Sequence, residues 1–88
     1  MPNINGAEPS PEQQKLAIRE SLNSAVQHHS AGDLAKAESI YRQILQAEPN
    51  QPEALNLLGV IAHQAGKIDI AINLIKKALD INPGFAEA

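Results

Sequence analysis

The sequence predicts an all-α fold, an α-solenoid in which antiparallel helix pairs stack on one another. The chain is rich in Ala, Leu, Ile, Gln and Glu and has one Tyr, one Phe and no Trp, a composition that favours helices over strands. Four apolar-periodic segments are separated alternately by glycine and proline turns. The stretch "HSAGDLAKA" at 29–37 is echoed 34 residues later by "HQAGKIDIA" at 63–71, which indicates an internal repeat.

The charge and composition exclude several classes of protein. A net charge of −3, with only seven Lys and Arg residues, argues against nucleic-acid binding, which depends on basic side chains. The chain contains no cysteine for disulfides. No apolar run approaches the ~20 residues that span a membrane, and "MPNINGAEPSPEQQ" does not resemble a signal peptide. We therefore expect a cytoplasmic protein without nucleic-acid or membrane partners.

The first helix pair has clear boundary signals. Ser10 is the expected N-cap of the first helix, with Pro11 in the first helical position and Gln13 closing a capping box. Gly32 ends this helix, because glycine readily adopts the left-handed turn. Asp33 is then expected to cap the second helix.

The second pair follows the same plan. Pro49 ends the second helix, and "NQPE" restarts the chain with Asn50 as the predicted N-cap and Pro52 in the first turn. Gly66 separates the third and fourth helices, and Pro83 ends the fourth. Links this short make neighbouring helices antiparallel.

The 34-residue offset divides the chain into units. Repeat one is predicted at 18–51 and repeat two at 52–85, while "FAEA" at 85–88 echoes "QPEA" at 51–54 and starts a truncated third repeat from 86. Residues 1–10 form a predicted flexible tail before a domain at 11–88, and we expect the chain to be the N-terminal part of a longer protein. The identical pairs across the offset are Val26/Val60, His29/His63, Ala31/Ala65, Gly32/Gly66, Ala37/Ala71, Leu45/Leu79 and Pro49/Pro83.

These positions resemble the tetratricopeptide repeat family, whose 34-residue units are helix pairs with small residues where the helices approach and a closing proline. The resemblance covers roughly residues 18–88. The matching residues are Leu55, Leu58, Gly59, Ala62, Gly66, Ala71, Ile75, Ala78 and Pro83 in the second unit, and Ala25, Gly32, Ala37, Tyr41 and Pro49 in the first.

The first helix departs from that pattern. Polar residues occupy positions where bulky apolar ones are usual, so the helix is expected either to be rotated or to serve as a partly polar cap on the stack. The polar residues are Ser21, Ser24 and His28, and the apolar stripe is displaced by one position through Ile18, Leu22 and Val26.

The resemblance implies a concave groove, lined by the first helix of each pair, that binds a partner peptide or helix. Chaperone-binding members clamp a terminal carboxylate with Lys and Asn; here Arg19 is the single basic candidate and Glu53 opposes an anion, so we predict no such clamp. The predicted groove residues are Arg19, Leu22, Asn23, Val26, His29, Glu53, Asn56, Val60, His63 and Gln64.

The chemistry-bearing residues do not predict an active site. His29 and His63 occupy equivalent positions, but no third metal ligand accompanies them. Most of the carboxylates lie at helix starts or on polar faces, and there is no Ser–His–Asp arrangement and no phosphate-binding glycine loop. We predict no enzyme activity, no metal and no cofactor for these residues.

Three functional hypotheses remain. The first is a non-catalytic protein-interaction module. The second is a docking or oligomerisation segment of a larger enzyme, because the repeats also resemble the N-terminal arrays of bacterial glycosyltransferases of the O-GlcNAc-transferase type and of some methyltransferases; Asn23 matches the asparagine ladder of the former. The third is a homodimer through the fourth helix, whose apolar residues lack a neighbour.

Overall fold

A computed structural model describes residues 10–84 of the chain and shows four helices there. The fold is all-α, as predicted. The expected tail, apart from Ser10, and the expected start of a third repeat lie outside the described residues. No helix within the described range has the length and apolar character needed to cross a bilayer. The helices are α1 (Pro11–Ser30), α2 (Leu34–Ala47), α3 (Pro52–Gln64) and α4 (Ile68–Ile81).

The boundary signals of the first pair act as predicted. The Ser10 side chain accepts a hydrogen bond from the Gln13 backbone N–H, and the Gln13 side chain accepts one from Ser10, which completes a capping box. Gly32 and Gly66 have φ values of 86° and 81°. This left-handed conformation reverses the chain at equivalent points of the two repeats, and glycine adopts it without a Cβ penalty.

The predicted N-cap of α3 is wrong by one residue. Gln51, not Asn50, is the cap, and its side-chain oxygen accepts a hydrogen bond of 2.9 Å from the Ala54 backbone N–H. Pro52 explains the difference, since proline is favoured at the first helical position and lacks the N–H that would otherwise need a partner. The residue before it then becomes the cap.

The helices form two layers around one core. α1 packs on α2, α2 on α3, and α3 on α4. Side-chain contacts also join α1 to α3, which places these two helices side by side in one layer. The core lies between the layers and consists of Leu22, Ala25, Ala37, Tyr41, Ile44, Ala54, Leu58 and Ile61.

Helix α1 buries Leu22 of its displaced apolar stripe, while Ala25 keeps the buried position that Gly59 holds in the second repeat. Leu22 is 3% exposed and Ala25 is fully buried, whereas Val26 is 42% exposed. The stripe that enters the core therefore includes Leu22 but not Val26. Small or polar side chains such as Ser21 and Ser24 fill little of the interior, so Leu22 takes that place.

Candidate partner-binding groove

Two polar contacts join α1 to α3 along their shared face. Arg19 Nη1 lies 3.6 Å from Glu53 Oε2, near the N-terminal end of α3. His29 Nε2 and Gln64 Oε1 are hydrogen-bonded at 3.0 Å near the C-terminal ends of both helices. The structure thus brings four of the sequence-predicted groove residues together in two pairs. Both pairs are solvent-accessible, so each contributes at most about 1 kcal/mol to stability.

The surface between these two pairs is mainly apolar and amide in character. Val26 and Val60 hold equivalent positions in the two repeats, the first 42% exposed and the second half-buried. Asn23 is exposed and Asn56 half-buried on the same helices. Arg19 and His29 are ten residues apart, which corresponds to about 15 Å along a helix. A groove of this length accommodates a few residues of an extended chain or about two to three turns of a helix.

One predicted groove residue offers little surface to a partner. Leu22 belongs to the core cluster and is 3% exposed, so its main role is to pack α1 onto the core rather than to contact a partner. His63 is exposed one residue before Gln64. The other predicted groove residues remain candidates for contact with a partner; they are Arg19, Asn23, Val26, His29, Glu53, Asn56, Val60, His63 and Gln64.

The sequence reasoning missed a cleft that adjoins the groove. It has a volume of about 820 Å³ and lies between the N-terminal half of α1 and the α2–α3 turn. Leu16 lines it and is 64% exposed. We call it the α1 cleft; its lining residues are Glu12, Lys15, Leu16, Ile18, Arg19, Leu22, Glu48, Asn50, Gln51 and Pro52.

The α1 cleft exists because α1 is longer than the other helices. α1 has 20 residues and α3 has 13. The seven residues from Pro11 to Ala17 precede the first repeat, which starts at Ile18, and amount to about two turns. These turns project past the start of α3 and form one wall of the cleft. The helical signal ahead of residue 18 was the sequence feature that pointed to this wall.

The chemistry of the site is that of a binding surface. Lys15 and Arg19 face the cleft together with Glu12 and Glu48, so both signs of charge surround an apolar floor. Within residues 10–84, no group of three or more His, Cys, Asp or Glu side chains is placed to hold a metal ion. Exposed apolar side chains ringed by charge are typical of surfaces that bind another protein.

Comparison with known proteins agrees with this architecture. A family model described as "Tetratricopeptide repeat" matches residues 28–88, more than half of the chain. The chain is also similar to the Photosystem I assembly protein Ycf3 of Cyanophora paradoxa, at 47% identity over 45 residues, which are 51% of this chain. The aligned part spans only 26% of that relative's length. With its two glycine-turned helix pairs and this match, the chain belongs to the tetratricopeptide repeat family.

Proposed function

We propose that these residues form a non-catalytic protein-interaction module that binds a segment of a partner protein in the groove and the α1 cleft. The observation that carries this proposal is the open cleft of about 820 Å³ with Leu16 64% exposed in it. Covering a Leu side chain is worth roughly 1.5 to 3 kcal/mol. An apolar side chain of the partner is the natural occupant of this position.

The groove favours a partner segment with few charged residues. Arg19 is paired with Glu53 and His29 with Gln64, so these polar groups already satisfy one another. Val26 and Val60 then offer apolar contact between the pairs. Amide side chains such as Asn23 both donate and accept hydrogen bonds, which suits the backbone of a bound peptide.

The similarity to an assembly protein agrees with this role. Ycf3 is described as an assembly protein, and an assembly factor binds other proteins. We extend only this general role to the present chain. The net charge of −3 favours a protein over a nucleic acid as the partner.

The alternative from the sequence, a docking segment of a bacterial glycosyltransferase or methyltransferase, assigns the same role to the groove. In that case the module binds the protein substrate of a catalytic domain elsewhere. The two hypotheses differ in whether such a domain accompanies the module. One binding experiment on these 88 residues therefore tests the part that they share.

The experiment is selection from a random peptide library displayed on phage, followed by titration of the selected synthetic peptides by fluorescence anisotropy. We expect the selected peptides to share an apolar residue. Leu16→Glu places a charge in the α1 cleft and should weaken their binding by at least about tenfold. Val26→Glu places a charge in the groove and should weaken peptide binding by a similar factor.

Gln46→Glu is the matched control, because Gln46 is exposed on α2 and lies outside both the groove and the cleft. This variant gains the same charge and should bind like the wild type. Circular dichroism confirms that each variant is folded. If the selected peptides bind the Leu16→Glu and Val26→Glu variants as tightly as the wild type, the proposal is wrong.

A further inference from the structure

Helix α4 carries an apolar stripe in which Ile75 lies against Gly59 of α3 and the other residues are exposed or half-buried. Ile68 and Ile72 are 45% and 51% exposed, and Ile75 and Leu79 are half-buried. Their spacing of four, three and four residues places them along one side of the helix. We call these four residues the α4 edge. It is separate from the groove and the α1 cleft, which α1, α3 and the α2–α3 turn form.

The first repeat shows what covers the C-terminal half of this edge when a neighbour is present. The residues of α2 equivalent to Ile75 and Leu79 are Tyr41 and Leu45; Tyr41 is fully buried and Leu45 packs against the core. Helix α3, which packs on α2, contributes three apolar residues to the same buried cluster. These are Ala54, Leu58 and Ile61.

Helix α1 does not offer the corresponding surface to another copy of the chain. The residues 34 positions before Ala54, Leu58 and Ile61 are Glu20, Ser24 and Gln27. Glu20 and Gln27 are exposed and Ser24 is half-buried. Stacking α4 of one copy on α1 of the next would desolvate polar side chains against isoleucines, which is unfavourable. A head-to-tail filament of copies is therefore disfavoured.

The charges beside the stripe suit an antiparallel pair. Asp69 and Lys76 are both exposed and are seven residues, or two helical turns, apart on the same flank of α4. A two-fold axis that crosses the middle of the α4 edge brings Asp69 close to the partner's Lys76, and Lys76 close to the partner's Asp69. A parallel two-fold arrangement would instead place the charged flanks of the two copies on opposite sides of the contact, where Asp69 and Lys76 do not meet.

We propose that the α4 edge is covered by the α4 edge of a second copy of this chain, in an antiparallel two-fold dimer flanked by two Asp69–Lys76 pairs. The two-fold arrangement closes on itself, because the same surface is used on both copies. Ile68 of one copy then lies near Leu79 of the other, and Ile72 near Ile75. This proposal is independent of the peptide-binding function, which uses different residues.

Sedimentation equilibrium of the 88-residue chain over a concentration series tests the dimer. Ile72→Glu puts a charge into the contact and should raise the dimer dissociation constant at least about tenfold. Ile70→Glu is the matched control, because Ile70 is 49% exposed on the same helix but points about 160° away from Ile72. It should leave the dissociation constant unchanged.

Charge reversal tests the arrangement. Asp69→Lys and Lys76→Asp should each weaken the dimer, because like charges then meet across the axis, and the double variant should restore wild-type association. A wild-type chain that is monomeric at every concentration overturns the proposal. So does a dimer that Ile70→Glu disrupts while Ile72→Glu does not. Failure of the double variant to restore association rules out the antiparallel arrangement.

Discussion

Gly59 and Ile75 mark the closest approach of α3 and α4. A Cβ atom on residue 59 would lie 2.7 Å from Ile75 Cγ1 and 3.3 Å from the Ala71 carbonyl oxygen. Both distances are shorter than the optimal van der Waals separation of such atoms. The glycine in the middle of α3 therefore sets how closely the second helix pair can pack. In the first pair the equivalent residue, Ala25, is fully buried, so that pair accommodates the extra methyl group.

Gly59→Ala should lower the free energy of unfolding by about 1 to 3 kcal/mol, because the added methyl group overpacks this contact. The loss should appear although alanine favours a helix over glycine by about 1 kcal/mol. Urea denaturation followed by circular dichroism measures it. In an Ile75→Ala background the same change should be neutral or stabilising, because the nearest atom has been removed. Equal losses in both backgrounds would contradict the assigned contact.

The two helices that follow the glycine turns differ in their caps. Asp33 accepts a hydrogen bond of 3.3 Å from the Lys36 backbone N–H, whereas Lys67 at the equivalent position makes no side-chain cap. The backbone angles agree closely, at φ −89°, ψ 73° and φ −92°, ψ 72°. Lys67→Asp should therefore cap α4 and raise the free energy of unfolding by about 0.5 to 2 kcal/mol.

Asp33→Ala is the complementary change and should lower the free energy of unfolding by a similar amount, since it removes the α2 cap. Both variants are compared with the wild type by thermal and urea denaturation. Lys67→Asn separates capping from charge, because asparagine caps well without a negative charge. If neither Lys67→Asp nor Lys67→Asn changes the free energy of unfolding, the two glycine turns are not equivalent as capping sites.

The helices could be predicted from the sequence because their boundaries are local. Gly32 and Gly66 reverse the chain through their own backbone conformation, and Ser10 caps α1 through the neighbouring Gln13. The start of α3 was misplaced because Asn50 and Gln51 both have a side-chain oxygen suited to capping. The position of Pro52 decides between them, and that depends on where the helix begins.

The candidate site could be predicted only in part, because it depends on how helices are rotated against each other. The assignment of Arg19 and Glu53 to one face was possible from the repeat offset, but their mutual contact was not. Leu22 was placed in the groove because nothing in its own sequence neighbourhood shows how deeply it packs into the core. The exposure of Leu16 arises from the overhang of α1 past α3, which is a tertiary feature.

The different environments of Leu22 and Val26 lead to a direct comparison. Leu22→Ala should lower the free energy of unfolding by about 2 to 5 kcal/mol, because it leaves a cavity in the core. Val26→Ala should change it by about 0.5 kcal/mol or less, since Val26 is 42% exposed. Urea denaturation of the two variants gives both values. A larger loss for Val26→Ala than for Leu22→Ala would mean that Val26, not Leu22, packs into the core.

Tyr41 has a buried hydroxyl group that makes no hydrogen bond within residues 10–84. Burial raises the pKa of Tyr41 above its ordinary value of 10.0, because the charged phenolate is poorly solvated in the core. The remainder of the side chain fills the centre of the core and is fully buried. The ring therefore contributes packing, while the hydroxyl group loses its hydration without gaining a partner.

Tyr41→Phe should raise the free energy of unfolding by about 1 kcal/mol at neutral pH, because it removes that unpartnered hydroxyl. The pKa of Tyr41 is higher in the folded state than in the unfolded state. The contribution of the neutral phenol to the free energy of unfolding is therefore intact below pH 10 and is lost as the pH rises above it. Wild-type stability should thus fall more steeply above pH 10 than that of the variant. Urea denaturation at several pH values from 7 to above 10 measures both effects. If the free energy of unfolding depends on pH in the same way for both proteins, Tyr41 ionises equally easily in the folded and unfolded chains.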